Sequence, residues 1–218
     1  EKMGLYKSNV HNILMTFKAE TDLEQDPDSG KFRLGIEVFS LSRAYRQNLD
    51  ISKIALPYME KIAEETNELV YLTIPKGDEM VYVEAVYPHN QKMMGQSVAG
   101  ERCKMYCTSV GKAILATMSQ QEIAELIQEP LEAYTEYTIT DFEALMKEVD
   151  RTRRRGYGID NMELNFGMKC VGIVLKNHKG QVEAGLSVSA PSLRMSDETV
   201  RKTASILKAY GNEIQKML

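Results

Sequence analysis

The stretch from Arg155 to Pro191, RGYGIDNMELNFGMKCVGIVLKNHKGQVEAGLSVSAP, constrains the chain more than any other. Two apolar runs, Cys170–Leu175 and Val182–Val188, flank the polar cluster Lys176-Asn177-His178-Lys179-Gly180. Apolar, β-branched runs joined by a short polar segment ending in glycine predict a β-hairpin. Successive strand residues point to opposite faces, so Ser187 and Ser189 share one face. Hydroxyls buried beside Gly185, Leu186 and Val188 need partners from backbone, water or a ligand. Ahead of the hairpin, Asp160 and Glu163 follow Gly156-Tyr157-Gly158. The combination reads as a sheet-borne site for a small polar molecule.

Composition narrows the class. A chain of 218 residues, 43% hydrophobic, buries a core sufficient for one large or two small domains. No apolar run approaches the roughly 20 residues of a membrane span, and no signal-peptide pattern is read at the start. Three cysteines without a secretory signal fit a reducing cytoplasm, the expected location. A net charge of −4 argues against polyelectrolyte binding of nucleic acid by the chain as a whole. Thirteen methionines and no tryptophan point to adaptable apolar packing.

The N-terminal part has its own pattern. Glu1–Tyr6 reads as the tail of a helix ending near Gly4, and Ser8 as an N-cap. Val10, Ile13, Leu14 and Phe17 then follow at helical spacing, leaving Asn9, His11, Asn12, Met15 and Thr16 on the other face. A tight turn followed by a helix with exposed amides is the layout of a helix-turn-helix, and asparagine can pair bidentately with adenine in the major groove. An ordinary surface helix with a solvated polar face is the competing reading. Asp26-Pro27-Asp28-Ser29-Gly30 joins Leu23-Glu24-Gln25 to Lys31-Phe32-Arg33-Leu34 as a two-stranded wing, placing Lys31 and Arg33 for phosphate contact. Residues 1–34 hold five basic and six acidic side chains, so useful DNA affinity calls for further residues or a second copy.

Gly35–Asn48 reads as a connecting helix with apolar residues on more than one side, suited to contact with a partner chain. A helix over Asp50–Asn67 contains Pro57, which is expected to kink or divide it. Strands are expected over Leu69–Ile74, Met80–Val86 and Lys92–Val98. Thr108 or Ser109 caps a helix running to Met118, and its free N–H groups favour an anionic or oxygen-rich ligand. Ser119-x-x-Glu122 and Thr140-x-x-Glu143 read as capping boxes. The helix after the second carries Phe142, Leu145, Met146 and Val149 inward and ends at Gly156. A final helix turns Val200, Ala204, Leu207 and Ile214 inward. The expected class is α+β, with helices packed around an antiparallel sheet.

These pieces, in this order, resemble the isocitrate lyase regulator (IclR) family of bacterial transcription factors. The resemblance is carried by Lys7-Ser8-Asn9-Val10-His11, by the wing from Leu23 to Gly35, and by Thr108-Ser109-Val110-Gly111-Lys112-Ala113. It is fullest from Arg155-Gly156-Tyr157-Gly158-Ile159-Asp160 through Gly167-Met168-Lys169-Cys170-Val171 to Leu186-Ser187-Val188-Ser189. Coverage is essentially the whole chain. The resemblance implies a partial winged helix-turn-helix over 1–34 with its first helix missing, so that the chain is a fragment. It also implies a linker helix over 35–49 and a GAF/PAS-like effector domain over 50–218. It further implies a homodimer or dimer of dimers, operator DNA as partner, and a small organic or sugar acid controlling a repressor of catabolic genes. Lys7, Ser8, Asn9, His11, Asn12, Lys31 and Arg33 take the DNA-binding roles. The effector pocket takes Ser109, Val110, Asp160, Cys170, Ser187 and Ser189, with Met93, Cys103 and Met168 as its apolar wall. No cofactor, metal or catalytic residue is implied.

Two other readings compete. A Cys-His nucleophile system would need a histidine linked to a cysteine, but His11, His89 and His178 sit on a helix, in a loop and at a turn. A metal- or thiol-responsive regulator would use Cys103-x-x-x-Cys107 with Cys170 and Asp160. Three small buried cysteines in a methionine-rich interior are the simpler alternative.

Overall fold

Helix α1 spans Lys7–Ala19 and is preceded by Tyr6 in an extended conformation, so Ser8 lies inside the first turn and does not cap it. The Tyr6 carbonyl accepts from the N–H groups of Asn9 and Val10 at 3.0 and 3.1 Å, which starts the helix earlier than the side-chain signal implied. This computed structural model describes residues 4–47, 49–89 and 98–218, the side chains of 46 and 47 excepted. The expected helix tail before Gly4 therefore lies outside the described residues. Strands β1 (Leu23–Gln25) and β2 (Phe32–Leu34) pair antiparallel as the wing. Asp26 Oδ1 accepts from the N–H groups of Asp28 and Ser29, closing the turn, and Gly30 takes the left-handed conformation that the return requires. Helix α2 covers Glu37–Gln47. Together these elements lie in one compact unit, residues 1–50.

The second unit spans residues 51–218. Helix α3 (Asp50–Thr66) passes through Pro57 without dividing. Its buried stripe of Ile51, Ala55, Met59 and Ile62 continues on both sides of the proline, and burial of that stripe offsets the lost hydrogen bond. The sheet consists of β3 (Leu69–Lys76), β4 (Glu79–Val86), β5 (Arg102–Lys104), β6 (Gly158–Asn161), β7 (Met168–Lys176) and β8 (Val182–Pro191). Its order is β5-β4-β3-β8-β7-β6, antiparallel at every step. Residues 90–97, most of the expected Lys92–Val98 strand, lie outside the described residues, whereas β5 and β6 are short strands that the sequence pattern did not announce. Four further helices are α4 (Ser109–Leu115), α5 (Gln120–Leu126), α6 (Phe142–Arg155) and α7 (Asp197–Gln215).

Two expected boundaries moved for identifiable reasons. Helix α4 stops at Leu115 and not at Met118, because the Arg153 guanidinium donates to the carbonyls of Ala116 and Met118 and turns the chain away. Helix α6 is capped by Asp141, not Thr140: its carboxylate accepts from Ala144 N at 2.7 Å, and a negative group suits a helix start. The Ser119–Glu122 capping box and the left-handed Gly156 end of α6 form as expected.

The pleat divides the sheet's chemistry. Val171, Ile173 and Leu175 of β7 and Leu186 and Val188 of β8 form one dry face, covered by α7. There Gly211 brings the helix backbone against Ile173 and Leu175. The opposite face carries Asp160, Cys170, Ser187 and Ser189 and receives α4. Behind α4 lies a second apolar core that includes Met80, Met105, Cys107, Ile114, Leu145 and Val149.

Candidate ligand-binding site

Three glycines decide how close α4 comes to the sheet. Gly158 on β6 pairs with Gly172 on β7, and Gly185 stands on β8 in the neighbouring register. A Cβ on Gly172 would lie 2.7 Å from Val110 N, one on Gly185 would lie 2.8 Å from Val110 Cβ, and one on Gly158 would collide with the Ser109 carbonyl. The first turn of α4 is thus pressed onto a patch of sheet that has no side chains. Asp160, Cys170 and Ser187, two residues along the same strands, and Ser189, four along, face the space beside that turn.

The space is a cavity of about 100 Å³. Thr108, Ser109 and Val110 form its helical wall, and Asp160, Met168, Cys170, Ser187 and Ser189 its floor; Tyr71, Tyr82, Leu164 and Asn165 complete it. Thr108 caps α4, its hydroxyl accepting from Gly111 N at 3.2 Å. Tyr71 and Tyr82 meet edge to face with centroids 4.9 Å apart. Seven residues expected from the sequence converge here. Met93 lies outside the described residues, and Cys103 stands behind the cavity, its thiol directed at the Met80 carbonyl and the Tyr82 hydroxyl. Sequence reasoning missed Tyr71, Tyr82, Leu164 and Asn165. The two tyrosines sit on expected strands, but only the β3–β8 and β3–β4 registers align Tyr71 with Ser187 and Thr73 with Tyr82.

An ionic group underlies the floor. Lys112 of α4 is fully buried and its ammonium bonds Glu163 Oε1, itself on a side chain almost wholly removed from water. Asn161 N also donates to Oε1, whereas Oε2 is buried without a hydrogen-bond partner among the described residues. Thr138 donates to the Glu163 carbonyl at 2.6 Å, and Glu163 N donates to Asp160 Oδ1 at 2.7 Å, so this turn holds Asp160 in place. Asp160 is only 3% exposed. Burial pushes its carboxyl up to about 6, against the opposing pull of Lys112. The low-dielectric surroundings of Asp160 therefore favour its protonated form more than water would.

The three cysteines are Cys103, Cys107 and Cys170. All three are free, and burial pushes their thiols up, Cys103 to about 11, so they stay protonated at neutral pH. Cys170 donates to Ser189 Oγ at 3.2 Å. Among the described residues, no group of three His, Cys, Asp or Glu side chains is arranged to hold a metal. His89 pairs with Glu64, and His178 meets the Leu218 carbonyl.

In the N-terminal unit, Lys7, Ser8, Asn9, His11 and Asn12 are exposed along α1, and Lys31 is exposed on the wing. Arg33 pairs with Glu24 across the wing at 2.7 Å, with both side chains largely in solvent. No helix among the described residues is long and apolar enough to cross a membrane.

Comparison with known proteins agrees with this fold. The model of the bacterial transcriptional regulator IclR C-terminal domain matches residues 43–216. Over its whole length the chain is 30% identical to the HTH-type transcriptional regulator KdgR of Escherichia coli K12, covering 83% of that protein. The crystal structure of Thermotoga maritima IclR is similar over 100% of this chain and 87% of that one, with a TM-score of 0.79 and 28% identity. An IclR homologue from Microbacterium hydrocarbonoxydans, complexed with 4-hydroxybenzoate, shares the fold with a TM-score of 0.76 at 24% identity, over 97% of this chain and 85% of that one.

Proposed function

Because the chain belongs to the IclR family of bacterial transcriptional regulators, we propose that a short hydroxy, keto or sugar acid occupies the cavity beside α4 and alters operator binding by the winged unit. The single observation that carries this reading is the convergence of Ser109, Asp160, Ser187 and Ser189 on one small cavity. At about 100 Å³ the cavity is smaller than the roughly 150 Å³ that accommodates benzene, which favours a short acid over an aromatic one. The effector carboxylate sits by Ser109 and Val110, where the first-turn N–H groups of α4 have no helical acceptor. Helix α4 has only seven residues, so these local donors matter more than a long dipole. Ser187, Ser189 and Asp160 meet the hydroxyl or carbonyl at the other end, and Met168 covers the carbon skeleton. The protein acts in the cytoplasm as a repressor of a catabolic operon.

On DNA, Asn9 and Asn12 face the major groove, flanked by Lys7, Ser8 and His11, while Lys31 and Arg33 meet phosphate. The exposed Arg33–Glu24 pair is weak and yields readily to a phosphate. Two copies are needed for useful affinity. The solvent-exposed Phe39, Leu41 and Tyr45 of α2 support a homodimer or dimer of dimers in which this helix takes part. Calorimetry of the chain against three-carbon hydroxy and keto acids, sugar acids and 4-hydroxybenzoate tests the ligand reading. Short acids should bind, and Ser189→Ala should weaken them by roughly two- to tenfold, the equivalent of one neutral hydrogen bond of about 0.5–1.5 kcal/mol. Binding of the aromatic acid alone, untouched by Ser189→Ala, would overturn it.

A further inference from the structure

We infer that Asp160 sets the charge the cavity accepts: an anionic effector enters together with one proton, which Asp160 takes up. This rests on the ligand reading above and adds a charge rule to it. Among the described residues the charged groups at Asp160 are Lys112 on α4 and Glu163 on the turn after β6, already bonded to each other. The other titratable groups near Asp160 are Cys170 on β7, Tyr71 on β3 and Tyr82 on β4, which line the site, and Cys103 on β5 and Cys107 just beyond it, which stand behind it. Burial keeps each of these thiols and phenols neutral near pH 7. From β8 come only the uncharged hydroxyls of Ser187 and Ser189.

One cation and two carboxylates, Lys112, Glu163 and Asp160, thus lie near one another with their side chains almost wholly buried. A bound effector carboxylate would bring the count to three anions against one cation, where low dielectric strengthens repulsion. Glu163 cannot relieve it without giving up Lys112. Asp160 can, because the N–H groups of Glu163 and Leu164 both go to its Oδ1, and a proton from solvent on Oδ2 disturbs neither. The neutral carboxyl then offers an O–H donor to the effector. Free Asp160 already titrates at about 6, so at pH 7 to 8 the proton is within easy reach.

The test is calorimetry of the full chain with pyruvate, lactate and glycerate as probes, and with pyruvamide and lactamide as uncharged counterparts. For an acid that binds at pH 7.5, the heats in phosphate and Tris should differ by the uptake of close to one proton. Its Kd should rise about tenfold per pH unit between pH 7 and 8, the slope of one linked proton. An amide that binds should show neither effect. Asp160→Asn should abolish the pH slope and tighten the acid above pH 7, since a neutral amide stands in for the protonated carboxyl. Acid binding with buffer-independent heat and a flat pH profile in the unaltered chain would overturn this inference while leaving the ligand reading intact. Absence of binding by these three acids and by the sugar acids at every pH would remove both.

Discussion

Replacing Lys112 with methionine takes away a positive charge where no water can replace it. Methionine retains most of the length and the apolar stem, so the variant removes the charge with little change in packing. Glu163 is left with an ionised carboxylate that is 5% exposed, with one oxygen partnered by Asn161 N and the other unpartnered. Breaking a buried pair from one side costs about 3–5 kcal/mol. Against a total stability on the order of 5–15 kcal/mol, that is a fifth or more of the margin. Glu163→Gln should cost a similar amount by stranding the ammonium. The double variant should cost much less than the sum, because a well-packed neutral pair avoids the desolvation of both charges. Urea unfolding followed by circular dichroism measures the cycle; tryptophan fluorescence is no help in a chain that has none. The coupling energy should exceed about 2 kcal/mol. Single variants that each cost under about 1 kcal/mol and add in the double would refute the assignment of an interior ion pair. Lys112→Met should also weaken short acids, because the Glu163 turn holds Asp160.

Three other outcomes are expected. Gly172→Ala places a methyl 2.7 Å from Val110 N and should cost about 1–3 kcal/mol, lowering the melting temperature by several degrees and the affinity for short acids with it. Asp160, raised from 3.8 to about 6, contributes stability that is complete below pH 3.8 and is lost as pH rises through about 6. This amounts to roughly 3 kcal/mol for a shift of about two units, so Asp160→Asn should flatten the pH dependence of urea unfolding across that window. The three thiols should react with a disulfide reagent far more slowly in the native protein than after denaturation, since burial keeps them protonated; equal rates would restore the thiol-sensor reading.

The sequence by itself determined what depends on local chemistry. The turn at Asn177–Gly180, the wing turn at Asp26–Gly30, the capping box at Ser119 and the glycine end of α6 each rest on residues a few positions apart, and each formed where it was read. Alternation along β8 placed Ser187 and Ser189 on one face without any knowledge of what lay opposite. Local signals also misled where two donors or acceptors competed, as when Asp141 displaced Thr140 as the cap of α6. Only the tertiary structure decided which distant groups share a space. Tyr71 reaches the serine face through strand register, and Lys112 finds Glu163 across 51 positions. The glycines on β6, β7 and β8 acquire a purpose only when α4 is laid across them. Their missing side chains fix the helix-to-sheet distance, that distance sets the size of the cavity, and burial in so small a cavity raises the Asp160 carboxyl.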